Sequence, residues 1–497
     1  MNITQSLDYN QQHFPHQVAL VFEGQSFTYQ QLNQMVNRLA NGLRGNGIES
    51  GDRVALLLPN IPAFAIAYFS ILKLGAIAVS LNVMLTGGEI QTILNDCSPK
   101  LLITTGELIG NVPDHVLPEP EQVVIAEGQS LRGIPLEQVI VDAASEFSAL
   151  DVSNDQAAAI IYTSGTTGIP KGVTLSHGNV IFNSTAANRC YGTQPDDRLL
   201  LYLPLFHCFG QNAILNSGIQ AGATIVLQRR FHPEGVLSAI ADHGITMFFG
   251  VPTVYIKLLD LLGKNSANYD LSSIRYYFTA AASMPTEIVE LWRRLHGAQI
   301  YEGYGLSETS PFLSYNHISK YKPGSVGTPI ANVEVKIVDL AGFEVKPGEL
   351  GEILVKGPNL MLGYWNRPIA TAKTIKQGWL HTGDIGCIDH EGYLYVVDRL
   401  KDMINVSGFK VYPAEVENVL YQHPAIAEVA VYRFPDAIKG EVVAASIIPK
   451  LGQRVTAEEI THFSETRMAK YKIPKVIQIT DFIPKNAVGK VLKRMLS

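Results

Sequence analysis

Hydroxyl side chains, glycines and one lysine crowd residues 162–172. The polar members of this stretch are Thr163, Ser164, Gly165, Thr166, Thr167 and Lys171. Glycines let the backbone turn tightly and bring N–H groups against a ligand, while hydroxyls and an ammonium donate to phosphate oxygens. A polar hairpin is the alternative, but it does not need so many donors beside a lysine. We therefore predict a phosphate-binding loop, which is not a Walker A loop because the Gly-Lys-Ser/Thr ending is missing.

A second cluster, residues 301–309, combines glycines with aromatic and acidic side chains. Gly303 and Gly305 free the backbone around Tyr304, whose ring is suited to stacking on a nucleobase. The Glu308 carboxylate is an oxygen ligand of the kind that Mg²⁺ prefers. Taken alone, a turn with a core tyrosine explains the cluster equally well.

Two further clusters are weak by themselves. Residues 381–384 put the Asp384 carboxylate after a glycine, as recognition of a ribose diol requires. Residues 484–494 form a basic segment that contains Lys490, and such segments are usually solvated surface. The occurrence of all four clusters in this order changes that interpretation, through the resemblance described below.

The composition limits the class of protein. A chain of 497 residues predicts two or more domains, and 46% hydrophobic residues permit a large buried interior. The net charge of −6 gives no basic footprint for nucleic acid or anionic lipid. Any nucleotide bound by this chain should therefore be a small molecule.

Cysteine usage and hydropathy favour a cytoplasmic protein. The four cysteines are scattered without metal-ligand spacing, which indicates reduced thiols: Cys97, Cys190, Cys208 and Cys387. The first residues lack the basic and apolar regions of a signal peptide. Residues 61–85 are apolar over the length of a membrane span, but polar and helix-breaking residues interrupt them. We predict a buried helix that ends near Gly75, followed by a buried strand.

The order of strand and helix signals predicts an α/β fold. Strand and helix patterns alternate over residues 17–104, with Thr28 as a helix N-cap, and again from residue 157 to 279. Between residues 111 and 146 several prolines weaken the pattern, which we interpret as a surface excursion. Short β-like runs predict a β-rich lobe at about 324–398. We expect an N-terminal domain of residues 1–398 and a small α+β domain of residues 399–497, with a hinge near Lys401.

The four clusters, together with an Asp-Arg-x-Lys-Asp segment at residues 398–402, resemble the adenylate-forming superfamily of acyl-CoA synthetases, peptide-synthetase adenylation domains and luciferases. The similarity runs from about Phe27 to Lys490, and the motifs are jointly very specific. The resemblance implies a large N-terminal domain of layered sheets and helices with a β-rich lobe. It also implies a small C-terminal domain that swings between two poses, and an acyl-CoA synthetase or fatty-acid–CoA ligase type of enzyme.

The resemblance also assigns roles to the motif residues. The residues implied to hold the β- and γ-phosphates of ATP are Thr163, Ser164, Gly165, Thr166, Thr167 and Lys171. The residues implied around adenine and ribose are Gly303, Tyr304, Gly305, Asp384 and Arg399. Those implied for the reacting end are Ser307 at the α-phosphate, Glu308 and Thr167 at Mg²⁺, and Lys490 between the substrate carboxylate and the α-phosphate. Those implied for domain rotation and the thiol tunnel are Lys401, Gly408 and Lys410.

These residue types fit the implied chemistry. A carboxylate that attacks the α-phosphate of ATP approaches an anionic centre, so a lysine and Mg²⁺ are needed against the developing charge. The resulting acyl-adenylate is activated for attack by a thiol. No enzyme nucleophile is required, in agreement with the absence of a Gly-x-Ser-x-Gly elbow. Closure by a mobile domain would keep water from the adenylate.

The candidate acyl pocket is mostly apolar, which favours a fatty or other apolar acid. Its members are His207, Phe209, Gln211, Phe249, Gly250, Ala280, Ala281, Ala282, Met284 and Phe312. No charged residue is positioned like the aspartate that binds the amino group in amino-acid-activating relatives. His207 is either a pocket gate or a structural histidine. Ala280, Ala281, Ala282 and Ser283 stand where relatives commonly have a Gly-Ala-Ala-Pro type of turn, which adds a methyl group beside the predicted acyl tunnel. We therefore expect a short or medium acyl chain.

The thiol acceptor is expected to be CoA. Fatty acyl-AMP ligases carry an extra segment between the Tyr-Gly and Thr-Gly-Asp motifs, and none is present between Gly305 and Asp384. The phosphopantetheine of an acyl carrier protein is the alternative, since it would enter by the same tunnel. An aryl-CoA ligase and a luciferase-like oxygenase are further alternatives. An inactive binding paralogue is disfavoured because Lys490 and Glu308 are both present.

Overall fold

The computed structural model describes residues 1–116, 119–163, 170–265, 269–436, 440–486 and 489–496. Ser164, Gly165, Thr166 and Thr167 of the predicted phosphate loop lie outside these ranges. Among the described residues, no helix has both the length and the hydropathy needed to cross a membrane.

The first part of the chain alternates strands and helices as predicted. Its elements are α1 Gln5–His13, β1 Val18–Phe22, β2 Gln25–Thr28, α2 Tyr29–Gly45, β3 Arg53–Leu57, α3 Pro62–Lys73, β4 Ile77–Ser80, α4 Gly87–Cys97, β5 Leu101–Thr104, β6 Val123–Ile125, β7 Ile134–Pro135, α5 Leu136–Ile140 and β8 Ala157–Thr163. Thr28 caps α2 as predicted, because its hydroxyl accepts from Gln31 N while the Gln31 side chain accepts from Thr28 N. The apolar stretch 61–85 becomes the buried helix α3 and the buried strand β4.

The middle part continues this alternation. Its elements are β9 Lys171–Ser176, α6 His177–Tyr191, β10 Arg198–Leu201, a π-helix Phe209–Asn216, α7 Ser217–Ala221, β11 Thr224–Leu227, α8 Pro233–His243, β12 Met247–Gly250, α9 Pro252–Asn265, β13 Tyr276–Thr279, α10 Thr286–His296, β14 Ile300–Gly305 and β15 Phe312–Tyr315. The π-helix was not predicted, since an apolar segment of this kind has no local signal that separates i+5 from i+4 hydrogen bonding.

The last part is richer in strands. Its elements are β16 Thr328–Pro329, β17 Glu334–Val338, β18 Gly351–Lys356, β19 Gly363–Tyr364, α11 Pro368–Thr374, β20 Ile375–Lys376, β21 Trp379–Ile388, β22 Leu394–Arg399, β23 Ile404–Val406, β24 Phe409–Val411, α12 Pro413–Leu420, β25 Ile426–Asp436, β26 Gly440–Pro449, α13 Ala457–Glu465 and β27 Val476–Ile479. The predicted β-rich region, residues 324–398, therefore contains β16 to β21 and all of β22 except its last residue.

Four sheets organise the described residues. A nine-stranded sheet has the order β16-β15-β14-β13-β12-β10-β11-β1-β2, and an eight-stranded sheet has the order β19-β9-β8-β4-β3-β5-β6-β7. The central strands of both sheets are parallel, as the strand–helix alternation requires. The lobe sheet is formed by β17, β18, β20, β21 and β22, and the C-terminal sheet by β23 to β27. The chain is thus the predicted α/β protein with a large N-terminal part and a small C-terminal part.

The expectation of a surface excursion at residues 111–146 is wrong in part. Strand β6 is fully buried and pairs in parallel with β5, and β7 continues the eight-stranded sheet beyond it. The prolines of this segment interrupt the helical pattern, but a three-residue strand is too short to show periodicity.

The C-terminal part has a hydrophobic core of its own. Ile404, Val431 and Ile447 are fully buried in it, together with residues of α12 and α13. Among the described residues, the main core spans both large sheets and contains no fully buried side chain beyond Leu394. Two separate cores on either side of residues 395–403 are the packing expected of two bodies joined by a hinge.

Candidate functional site

The hairpin of β8 and β9 carries the ends of the predicted phosphate loop. Thr163 and Lys171 are opposite one another in the antiparallel register, so the loop between them begins and ends at one point of the sheet. The Lys171 ammonium lies 4.9 Å from the centre of the Tyr364 ring. The prediction for residues 164–167 cannot be compared with the structure, because they lie outside the described residues.

The glycines around Tyr304 are required by close packing. A Cβ atom on Gly305 would lie 1.7 Å from the Pro311 carbonyl oxygen, and one on Gly303 would lie 2.3 Å from the Phe278 ring. Tyr304 is therefore held at the end of β14 between two positions that no other residue can occupy. Its hydroxyl donates to Asp384 Oδ2 at 2.5 Å.

Asp384 and Arg399 lie side by side on two neighbouring strands of the lobe sheet. They are register partners on β21 and β22, and Arg399 Nε lies 3.4 Å from Asp384 Oδ1. The Asp384 carboxylate is only 4% exposed. The fold thus brings the predicted nucleobase and ribose residues, separated by 80 positions in sequence, into one hydrogen-bonded group.

Ser307 and Glu308 follow β14 in a single 3₁₀ turn. The Ser307 hydroxyl lies 3.4 Å from the Cys208 sulfur. Burial raises the pKa of the Cys208 thiol to about 12, so it stays a neutral thiol. Glu308 Oε1 accepts a hydrogen bond from the Tyr364 hydroxyl at 2.8 Å.

The described residues around Glu308 fit the predicted Mg²⁺. Within the described chain no group of three or more acidic, histidine or cysteine side chains could hold a metal alone. Mg²⁺ in nucleotide enzymes is typically bound by one or two carboxylates together with substrate phosphates and water. The single Glu308 carboxylate, which Tyr364 links to Lys171 of the β8–β9 hairpin, meets that requirement.

Lys490 is brought from the C-terminal part into this group. Burial lowers the pKa of Lys490 to about 8, with repulsion from Arg399 adding to the shift and the Asp384 carboxylate opposing it. A Cβ on the preceding Gly489 would lie 2.8 Å from Thr253 Oγ1 of α9. The basic segment that composition alone would leave in solvent is therefore docked on the N-terminal part.

His207 lies beside Lys490. Burial lowers the pKa of His207 to about 4, and repulsion by the Lys490 ammonium contributes. Its Nδ1 atom accepts a hydrogen bond from Phe209 N at 3.2 Å. His207 is thus a neutral imidazole that lies within electrostatic range of Lys490 and is hydrogen-bonded to Phe209 of the candidate acyl pocket.

Of three other predicted residues, Gly408 and Lys410 lie elsewhere in this arrangement, whereas Lys401 is within electrostatic range of Arg399 and Lys490. Gly408 and Lys410 are exposed on β23–β24, and Gly408 has the positive φ of +93° that favours glycine. Lys401 follows β22, and burial, with repulsion from Arg399, lowers its pKa. The residues predicted for adenine and ribose lie together with Lys490, while Gly408 and Lys410, which are predicted for the thiol tunnel, are apart from them.

Aromatic rings fill the candidate acyl pocket. Phe209, Phe249 and Phe312 all pack against Phe278, with ring centres 6.1, 6.0 and 5.4 Å away. Tyr191 closes the cluster between Phe249 and Phe312. All five rings are buried.

The remaining predicted pocket residues differ in position. A Cβ on Gly250 would lie 3.0 Å from the Tyr255 ring, on the face of the sheet opposite to the aromatic cluster. Gly250 therefore does not line that cluster. Ala281 has a φ of +72°, which is unusual for a residue with a Cβ. Met284 and Ala280 are buried, whereas Ala282 is exposed. Gln211 is held by Ser80 and by the Leu205 carbonyl.

Sequence reasoning missed two residues of the site. Tyr364 contacts both Lys171 and Glu308, and its signal was a glycine-aromatic pair in a region that we interpreted only as β-rich. Glu302 is a buried carboxyl on β14, two residues before Tyr304, and burial raises its pKa to about 8. An acidic residue within a buried strand was the available signal.

Comparisons with known proteins identify the family to which the chain belongs. The model for the AMP-binding enzyme family matches residues 7–365, and the model for the AMP-binding enzyme C-terminal domain matches residues 415–490. The chain belongs to the AMP-binding enzyme family. It is an acid–thiol ligase of the adenylate-forming superfamily.

Relatives of known name cover almost the whole chain. A feruloyl-CoA synthase of Amycolatopsis sp is 39% identical over 96% of this chain and 95% of its own. A long-chain-fatty-acid–CoA ligase of Bacillus subtilis (strain 168) is 37% identical over 97% of this chain and 92% of its own. The crystal structure of the anthranilate CoA ligase AuaEII with anthranoyl-AMP has a TM-score of 0.95 at 31% identity, covering 100% of this chain and 96% of that one.

Proposed function

We propose that the protein activates an apolar carboxylic acid with ATP to give an acyl-adenylate and pyrophosphate, and then transfers the acyl group to the thiol of CoA. The observation that carries the proposal is the docking of Gly489 on Thr253 of α9, which brings Lys490 within electrostatic range of Asp384, Arg399 and His207. A lysine in that position is available to an acid and to the α-phosphate together. Relatives named as CoA ligases on both fatty and aromatic acids support the reaction class.

In the first step the acid carboxylate attacks the α-phosphorus, and the bond to the pyrophosphate oxygen breaks. Negative charge therefore develops on the α-phosphate and on pyrophosphate. We assign Lys490 to the charge on the α-phosphate, because its ammonium is near Asp384 and Arg399. We assign Lys171 to the charge on pyrophosphate, because its ammonium is at the end of the β8–β9 hairpin. Mg²⁺, held by Glu308 when bound, supplies further neutralisation of the phosphate oxygens. Ser307 donates its hydroxyl to the α-phosphate.

The nucleoside end is bound by residues that do not change charge. The Tyr304 ring offers a stacking face for adenine, and Asp384 with Arg399 offers an acceptor and donors for the ribose hydroxyls. The fixed orientation of these groups keeps the α-phosphate within reach of the acid, which is how binding energy is used for positioning. The docked Gly489 limits access of water to the adenylate.

We propose a short- or medium-chain fatty acid as the substrate. The candidate acyl pocket contains a cluster of rings packed against one another: Phe209, Phe249, Phe278, Phe312 and Tyr191. These side chains already fill the space that a long acyl chain would need. A compact apolar acid fits between His207 and these rings with little rearrangement.

An aromatic acid is the second candidate, and the same cluster favours it. Rings that meet edge to face at 5.4 to 6.3 Å offer faces and edges to a further ring. The match to a feruloyl-CoA synthase at 39% identity supports an aromatic acid as well as the relative named a long-chain-fatty-acid–CoA ligase supports a fatty acid.

CoA is the proposed acceptor, with a carrier-protein phosphopantetheine as the alternative. Gly408 and Lys410 are exposed, which agrees with a loop that enters the site only after the C-terminal part rotates. Rotation would withdraw Lys490 and admit a thiol by the path that the lysine now closes. Lys401 is the proposed hinge residue, because it lies between the two separate cores.

The experiment is a substrate series with purified protein, ATP, Mg²⁺ and CoA, in which acyl-CoA and AMP are both quantified. Straight-chain acids from four to sixteen carbons are compared with benzoate, anthranilate and ferulate. A maximum at ten carbons or fewer supports the first candidate, and a maximum on the aromatic acids supports the second. Activity that rises steadily to palmitate contradicts the proposed size limit.

Parallel reactions with CoA and with a holo acyl carrier protein decide the acceptor. The Lys490→Ala variant is the control for enzyme-dependent product. Absence of AMP formation with every acid would contradict the proposed function itself.

A further inference from the structure

Tyr364 occupies a position between two charged residues of opposite sign. Its ring lies under the Lys171 ammonium at 4.9 Å, and its hydroxyl donates to Glu308 Oε1 at 2.8 Å. Neither Lys171 nor Glu308 is in an ion pair within 4.0 Å with a described residue. The tyrosine thus separates an ammonium and a carboxylate that would otherwise be free to approach one another.

The backbone fixes Tyr364 in this place. It pairs with Val173 of β9 in the antiparallel register, and Trp365 N donates to the Gly172 carbonyl at 2.7 Å. Tyr364 N donates to Thr371 Oγ1 of α11 at 2.9 Å. The strand that carries Lys171 and the short strand that carries Tyr364 are therefore one rigid unit.

The Glu308 turn is tied to the same segment. Met361 N donates to the Glu308 carbonyl oxygen at 2.9 Å, three residues before Tyr364. Glu308 Oε2 has no side-chain donor among the residues that the structure describes. The Tyr364 bond holds Oε1 of the carboxylate and leaves Oε2 without such a donor.

We propose that Tyr364 is a positioning residue that keeps Lys171 and Glu308 apart, directing the ammonium to the phosphates and one carboxylate oxygen to the metal. A direct Lys171–Glu308 pair would neutralise both groups, and ATP and Mg²⁺ would have to break it. The inference rests on the ATP site proposed above.

The ring and the hydroxyl have separable effects. The hydroxyl acts on the carboxylate alone, so Tyr364→Phe should weaken the metal contribution and leave the lysine in place. The ring acts on Lys171 through a cation–π contact. Tyr364→Leu should therefore also weaken the binding of ATP without metal, since Lys171 becomes free to pair with Glu308.

Calorimetric titration of ATP into the full chain, with Mg²⁺ and with excess EDTA, tests both effects. For Tyr364→Phe we expect about tenfold weaker binding with Mg²⁺ and no change in EDTA, the scale of one hydrogen bond to a charged group. For Tyr364→Leu we expect weaker binding under both conditions. Titration of Mn²⁺ followed by its electron spin resonance should give the same order of the variants.

Tyr395→Phe is the matched control, because the Tyr395 hydroxyl donates to Asp389 at 3.3 Å in the same lobe, away from the site. The proposal is overturned if Tyr364→Phe binds ATP as the parent does with Mg²⁺, or loses affinity equally in EDTA. If Tyr364→Leu does not fold, Tyr364→Phe still decides. Failure of the parent protein to bind ATP at all would instead contradict the proposed function.

Discussion

The Cys208 sulfur lies 3.4 Å from the Ser307 hydroxyl oxygen, at the residue proposed to contact the α-phosphate. Both side chains are buried, and the neutral thiol is a weak donor or acceptor for the hydroxyl. The contact joins the start of the π-helix region to the end of β14. It therefore fixes the hydroxyl before ATP arrives.

Replacement of Cys208 should slow adenylation only when the polar atom is lost. We expect Cys208→Ser to retain the rate within about twofold and Cys208→Ala to lower it about three- to tenfold, the scale of one neutral hydrogen bond. Pyrophosphate exchange measures this step. In a Ser307→Ala background the two Cys208 variants should be equal, and an unchanged difference would mean that Cys208 acts through packing.

Glu302 makes the stability of the protein depend on pH. Burial raises its pKa from 4.5 to about 8. Between these values the folded state holds a proton that the unfolded state has released, so the free energy of unfolding falls as pH rises, by at most about 1.4 kcal/mol per pH unit. Below pH 4.5 no such loss occurs.

Glu302→Gln should remove this dependence. We expect its thermal midpoint to exceed that of the parent by a margin that grows from pH 5.5 to pH 7.5 and is constant above pH 8. The exposed Glu290→Gln on α10 is the control and should follow the parent. Parallel curves for Glu302→Gln and the parent would show that the Glu302 carboxyl ionises normally.

Lys401→Pro should separate the two half-reactions. Lys401 N makes no backbone hydrogen bond to a described residue, whereas Leu400 N donates to the Gly383 carbonyl, so proline removes no bond in this arrangement. A proline fixes φ and so opposes rotation about the hinge. We expect adenylation near the parent rate and thioester formation from supplied acyl-adenylate slowed about tenfold or more. Lys401→Ala serves as the control, and equal slowing of both steps by proline would argue for general damage.

The sequence predicted the elements of the site better than their arrangement. Tyr304, Asp384 and Glu308 were predicted because glycines and polar residues cluster locally around them. Tyr364 was not found, since its role depends on β19 pairing with β9, almost 200 residues earlier in the chain. Strand pairing of that kind leaves no local pattern.

The acyl pocket shows the same limit. Phe209, Phe249 and Phe312 were proposed from their apolar surroundings, but only the fold reveals that Phe278 and Tyr191 join them. Gly250 was proposed on the same grounds and faces away, because alternate residues of a strand point to opposite faces. Side-chain direction in a short strand that is buried on both faces cannot be obtained from hydropathy.

The most direct test of the account is the effect of Lys490→Ala on the two half-reactions, each measured in a single turnover. Acyl-adenylate formation should fall by about 10² or more, the scale of a lost charge-stabilising group. Thioester formation from supplied acyl-adenylate and CoA should stay close to the parent rate. Equal loss in both half-reactions, or a loss confined to thioester formation, would contradict the role of Lys490 in adenylation.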